Sequence, residues 1–140
     1  MANASASITI PAPAATVWQL IGGFDSLPDW LPYIPKSELS EGGRVRTLAN
    51  PNGDTIVERL VAFDDAARSY SYAILQAPFP VKDYRSTLRV SDAGAAARVD
   101  WSGSFTPQGV SDQEATRLFQ GIYEDGLRAL AEGFAAAGRA

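Results

Sequence analysis

From Ser111 to the end of the chain, apolar positions fall three and four apart. Ala115, Leu118, Phe119, Ile122, Leu127, Leu130 and Phe134 form one stripe, with Arg117, Glu124, Asp125, Arg128 and Glu132 opposite. This spacing predicts one long amphipathic helix. Ser111-Asp112-Gln113-Glu114 opens it as a capping box, in which hydroxyl and carboxylate each serve an orphan amide, and Gly138 ends it. At about 1.5 Å per residue it spans on the order of 39 Å, enough to cross a small domain.

Everything earlier reads in shorter pieces. Ser5–Ile10 alternates Ser5, Ser7 and Thr9 with Ala6, Ile8 and Ile10, a half-buried strand. Pro13 starts a helix through Val17, Trp18, Leu20 and Ile21 to Gly22-Gly23. Asp25 or Ser26 then caps a short second helix that ends at Pro32. Six more strands follow: Ser37–Ser40, Arg44–Ala49, Thr55–Phe63, Ser69–Gln76, Asp83–Val90 and Ala97–Thr106. Glycine, proline, asparagine and aspartate punctuate them. Every connection is short, so successive strands are expected as antiparallel neighbours. The pattern predicts an α+β fold: one domain, residues 1–140, with a seven-stranded antiparallel sheet, helices on one face and two short helices after the first strand.

Two strands declare their inner face. Tyr70, Tyr72 and Ile74 stand opposite Ser69, Ser71 and Ala73, and Tyr84, Ser86, Leu88 and Val90 stand opposite Arg85, Thr87 and Arg89. An inner set that is aromatic yet hydroxylated suits a pocket better than a dry core. On Thr55–Phe63 either choice of inner face carries a charge, Glu58 or Arg59. An inward glutamate needs a partner or a raised pKa, and Arg46 on the preceding strand is the nearest candidate. Gly126 lies inside the long helix, where glycine costs about 1 kcal/mol relative to alanine, which points to room or close approach there.

Composition narrows the chemistry. The 140 residues carry no cysteine and no histidine. That excludes disulfides, thiol nucleophiles, histidine bases and cysteine or histidine metal sites, so no metal and no cofactor are expected. A net charge of −4 without a basic stripe argues against nucleic acid. No apolar run reaches membrane-spanning length and the first residues lack a secretory pattern, so the expected location is cytoplasmic.

The run Val45-Arg46-Thr47-Leu48, Glu58-Arg59-Leu60, Tyr84-Arg85-Ser86-Thr87 and Trp101 resembles the START/pollen-allergen superfamily, SRPBCC. It is most similar to the polyketide cyclase/dehydrase branch, with its plant relatives the abscisic acid receptors and lachrymatory factor synthases. The resemblance implies a helix-grip fold, a curved sheet wrapped around the C-terminal helix with a cavity between them. It also implies roles. Glu58, Arg46 and Tyr84 become candidate catalytic groups, and Lys36 the anchor for a ligand carboxylate. Read from the residues themselves, Tyr72, Phe79, Phe119, Ile122 and Tyr123 are candidate cavity walls, with plain core as the alternative and Gly126 favouring the cavity; Leu48, Ser86 and Asp100 join them as candidate ligand-binding positions. The Asn50–Asp54 and Ala77–Lys82 loops stand where the receptors carry a gate and a latch, without either sequence. On the last strand hydrophobicity turns Val99, Trp101 and Phe105 inward, whereas the resemblance turns Asp100 and Ser102 inward.

Two function classes follow. One is a cofactor-independent cyclase, dehydratase or isomerase acting on a small hydrophobic, polyketide-like or lipid-like molecule. The other is a non-catalytic carrier or sensor of such a molecule. Oligomeric state is open, with a homodimer among the expectations.

Overall fold

A computed structural model describes residues 2–32 and 34–138, with side chains described as far as residue 135. The chain runs β1 (Ala2–Ile10), α1 (Ala14–Ile21), α2 (Leu27–Trp30), β2 (Lys36–Ser40), β3 (Val45–Ala49), β4 (Thr55–Asp64), β5 (Ser69–Gln76), β6 (Val81–Ala93), β7 (Ala96–Pro107) and α3 (Asp112–Gly138). All seven strands join one antiparallel sheet in the order β1-β7-β6-β5-β4-β3-β2. Strands β2 to β7 are a meander, as short connections require. β1 instead crosses to the far side and pairs with β7 from Ala2↔Phe105 to Ile10↔Ala97. Bulges interrupt β4 between Val57 and Glu58 and between Leu60 and Ala62, and β6 between Lys82 and Arg85. Each bulge bends its strand and adds twist, which curls the sheet. The result is the expected helix-grip architecture.

α3 lies in the trough. Ala115, Phe119, Tyr123, Leu127 and Leu130 are buried on it. Leu118, expected on this stripe, is 37% exposed. At about 100° of turn per residue it falls on the stripe's margin, where Ile122 is also only half-buried. The capping box forms in part. The Glu114 amide donates to Ser111 Oγ at 3.1 Å, but the Ser111 hydroxyl donates to the Glu114 carboxylate at 3.2 Å, so the carboxylate does not return to the Ser111 amide. The expected stop after Gly138 lies outside the described residues. Gln120 Oε1 accepts the Ser5 amide at 3.1 Å, serving one backbone group of β1 from the helix.

The two short helices close one end of the trough. Buried Ala14, Val17, Trp18 and Ile21 seat α1, and Trp18 Nε1 donates to Asp65 Oδ1 at 2.7 Å, tying that helix to the β4–β5 turn. Gly22 does not serve as a left-handed stop, since its φ is −75°. Glycine is needed because a Cβ there would stand 2.7 Å from the Trp18 ring. Ser26 precedes α2, but its hydroxyl donates to the Gly23 carbonyl at 2.7 Å and caps nothing, and no capping bond from Asp25 replaces it.

β7 settles in favour of hydrophobicity. Val99, Trp101 and Phe105 are buried, and Asp100 lies on the outer face, bridged to Arg98 at 3.1 Å. With a period of two, turning Asp100 inward would put three large apolar side chains in water. Asp100 is therefore not a wall of the interior.

Candidate functional site

Between the concave sheet and the first half of α3 lies a cavity of about 210 Å³. Leu27, Leu31 and Ile34 line it from the α2 region, and Leu48, Ile56, Tyr72, Ile74, Tyr84 and Trp101 from the sheet. Phe119, Ile122 and Tyr123 line it from α3, with Asn50, Pro51 and Phe79 on loops between strands. Among the described residues the one carboxylate on this wall is Glu58.

Glu58 faces inward because β4 must bury Ile56, and side chains two apart share a face. Arg46 sits directly opposite on β3 and is 1% exposed. Its Nε and Nη2 both reach Glu58 Oε1, at 2.8 and 2.7 Å. Nη1 donates to the Phe24 carbonyl at 3.0 Å and to the Tyr70 hydroxyl at 3.3 Å. The guanidinium carbon stands 4.3 Å from the Phe24 ring centre and 4.7 Å from that of Tyr72, geometry that favours a cation. Both Glu58 bonds fall on Oε1, so Oε2 has no hydrogen-bond partner among the described residues.

Burial pushes the Glu58 carboxyl above its ordinary value, against the pull of Arg46. Burial also opposes the Arg46 charge, but Glu58 and the neighbouring tyrosines outweigh it and hold the guanidinium protonated. The pair thus carries a fixed cation behind a carboxyl whose proton is held more tightly than in water.

Hydroxyls complete the wall. Trp101 Nε1 donates to both Tyr72 Oη and Ser86 Oγ at 3.1 Å, and Ser86 donates to the Ser102 carbonyl at 2.7 Å. Tyr84 and Tyr123 hydrogen-bond to each other through their hydroxyls. Burial raises the Tyr72, Tyr84 and Tyr123 phenols, keeping all three neutral. The Tyr123 hydroxyl occupies the space a Cβ would need on Gly103. Gly103→Ala is therefore expected to cost about 1–3 kcal/mol by overpacking, seen as a lower urea midpoint at unchanged m. An unchanged midpoint would mean that Tyr123 has room to move.

The expected site residues sort clearly. Glu58, Tyr84, Leu48, Tyr72, Phe79, Phe119, Ile122 and Tyr123 converge on the cavity. Arg46 and Ser86 are buried behind the wall and position its groups without lining it. Gly126 is buried on the sheet-facing stripe yet is not part of the wall. Lys36 points to solvent, its side chain 66% exposed and bridged to Glu38 at 3.1 Å. On an edge strand an ammonium keeps its hydration there, whereas an apolar cavity would strip it. Leu27, Leu31, Ile34 and the Phe24 carbonyl were not anticipated. Their only sequence signal is a run of apolar residues around the short helix.

Among the described residues no cluster of three acidic side chains can hold a metal ion, and no helix is long and apolar enough to cross a membrane.

Comparison with known proteins agrees with this geometry. Residues 1–135 match the family described as polyketide cyclase/dehydrase and lipid transport. The protein XoxI from Bacillus cereus is 58% identical, with a TM-score of 0.94 over 96% of both chains. The Zhui aromatase/cyclase from Streptomyces sp. R1128 shares the fold at 19% identity, with a TM-score of 0.74 over 98% of this chain and 93% of its own. The abscisic acid receptor PYL2 of Arabidopsis thaliana is 31% identical over 90 residues, 59% of this chain and 47% of the receptor, so the match spans about half that relative's length. Fold, site geometry and a match over nearly the whole chain place it in the SRPBCC superfamily, as a member of the polyketide cyclase/dehydrase and lipid transport family.

Proposed function

We propose that the chain binds a small hydrophobic molecule in the cavity beneath α3 and that Glu58 exchanges a proton with it. One observation carries this reading: a buried carboxyl on a largely apolar wall, clamped through Oε1 and with no hydrogen-bond partner at Oε2 among the described residues. Dry surroundings raise its pKa, the usual way to run general acid/base chemistry without histidine. Arg46 fixes the carboxyl's orientation, and the Tyr84–Tyr123 hydroxyl pair supplies a second polar contact on the wall. Cyclisation, dehydration and isomerisation each need a proton taken from or given to a bound apolar skeleton, and these groups suffice for that. The family match and the aromatase/cyclase neighbour's fold support the same reading.

The alternative is a carrier in which the same groups only orient the ligand. Glu58→Gln separates the two. Gln keeps an acceptor for Arg46 but cannot carry the proton. The ligand is first identified by native mass spectrometry of protein purified from its own host, then tested for turnover. Turnover is expected to fall by about 10²–10⁴-fold with affinity nearly unchanged. Intact binding with no turnover by the unaltered protein would establish the carrier.

A further inference from the structure

We infer that the cavity selects neutral molecules of one or two fused rings bearing a hydroxyl, amide or carbonyl group for Glu58, and rejects carboxylates of the same shape. This rests on the reading of the cavity as a ligand site, and narrows what enters it.

The size limit comes from volume. Water in the liquid occupies about 30 Å³ per molecule, so 210 Å³ is worth roughly seven waters. Sites for drug-sized ligands run about 300–1,000 Å³. A bicyclic skeleton fits within this space, whereas a long acyl chain or a four-ring skeleton would have to project from it.

The charge limit comes from what the wall lacks. Among the described residues Glu58 is the only acidic side chain on the lining, and no lysine or arginine joins it. Arg46, the nearest cation, is spent on Glu58 Oε1, the Phe24 carbonyl and the Tyr70 hydroxyl, and lies behind the wall. Lys36, where the resemblance implied a carboxylate anchor, faces solvent with Glu38. An entering carboxylate would lose its water, meet Glu58 and find no cation to replace the hydration. A neutral group meets no such penalty. Oε2 accepts from a hydroxyl or amide when ionised and donates to a carbonyl when protonated.

Isosteric probes test this on the intact chain by calorimetry and thermal shift: 2-naphthol, 2-naphthamide, 2-naphthoate and the four-ring pyren-1-ol. At about pH 8, above the ordinary carboxylate range, the naphthol and the naphthamide are expected to bind. The naphthoate should bind at least about 100-fold more weakly, since like charges brought together cost several kcal/mol. Pyren-1-ol should bind more weakly than 2-naphthol. In Glu58→Gln the gap between naphthamide and naphthoate should narrow. If that variant fails to fold, the same pair on the unaltered protein still decides. Naphthoate binding as tightly as naphthamide overturns the charge limit, and pyren-1-ol binding more tightly than 2-naphthol overturns the size limit. In both cases the ligand site itself stands. No binding by any of the four removes that site together with the inference.

Discussion

Replacing Arg46 with methionine is expected to lower stability by about 3–5 kcal/mol near neutral pH, because it leaves Glu58 buried without its counter-charge. The loss should depend on pH, in a direction fixed by the raised Glu58 pKa. The folded state holds that proton more tightly than the unfolded chain, so stability from this group is fullest below the unfolded carboxylate value. It is lost as pH rises through the higher folded value. Without Arg46 the folded value climbs further, so the variant loses more stability, over a wider span, as pH rises. Denaturant melts should show the two proteins converging as pH falls, when Glu58 is protonated in both. Arg46→Met combined with Glu58→Leu removes both charges, and its stability is expected to return to that of the unaltered protein or above it. A single variant that loses less than about 1 kcal/mol at neutral pH would show that water reaches the pair.

Phe119→Ala should cost about 3–5 kcal/mol. The Phe119 ring is 1% exposed and packs against Phe105, Tyr84 and Phe79, with centroids 4.7, 4.8 and 5.3 Å away. The same truncation joins the space of the ring to the existing cavity, so the penalty should be partly recoverable. Pyren-1-ol, expected to be excluded from the unaltered protein, should raise the melting temperature of Phe119→Ala in a concentration-dependent way. A variant that melts normally and still excludes the larger probe would mean that the neighbouring rings collapse into the gap.

Much of this was legible in the residues. The α3 stripe, the two short helices and the six-strand meander follow from local periodicity and turn chemistry, both written in neighbouring positions. Glu58 against Arg46 was readable as a conditional, since β4 had to bury a charge on one face and the arginine stood on the adjacent strand. What decided the face was the burial of Ile56, which shares a face with Glu58 and packs against residues distant in the chain. Asp100 and Lys36 mark where likeness to relatives misled. In each case burial physics at the position overrode it: large apolar neighbours turned Asp100 out, and an acidic neighbour and open water held Lys36 at the surface. Cavity size was beyond reach, because it is set by how far the bulges curl the sheet under α3. Leu27, Leu31 and Ile34 escaped for a related reason, since which wall a four-residue helix supplies depends on packing against distant elements.

The crossing of β1 to β7 governs the order in which the fold is assembled. β1 precedes β7 in the chain and cannot acquire its partner until Ala96–Pro107 has been made, because the register joins Ala2 to Phe105 and Ile10 to Ala97. Through that interval β1 has no strand beside it, and α3 has yet to be synthesised. Contacts so distant along the chain slow folding relative to a chain of local contacts. They also leave β1 the strand longest without its partner, and so the one most open to capture by another nascent chain.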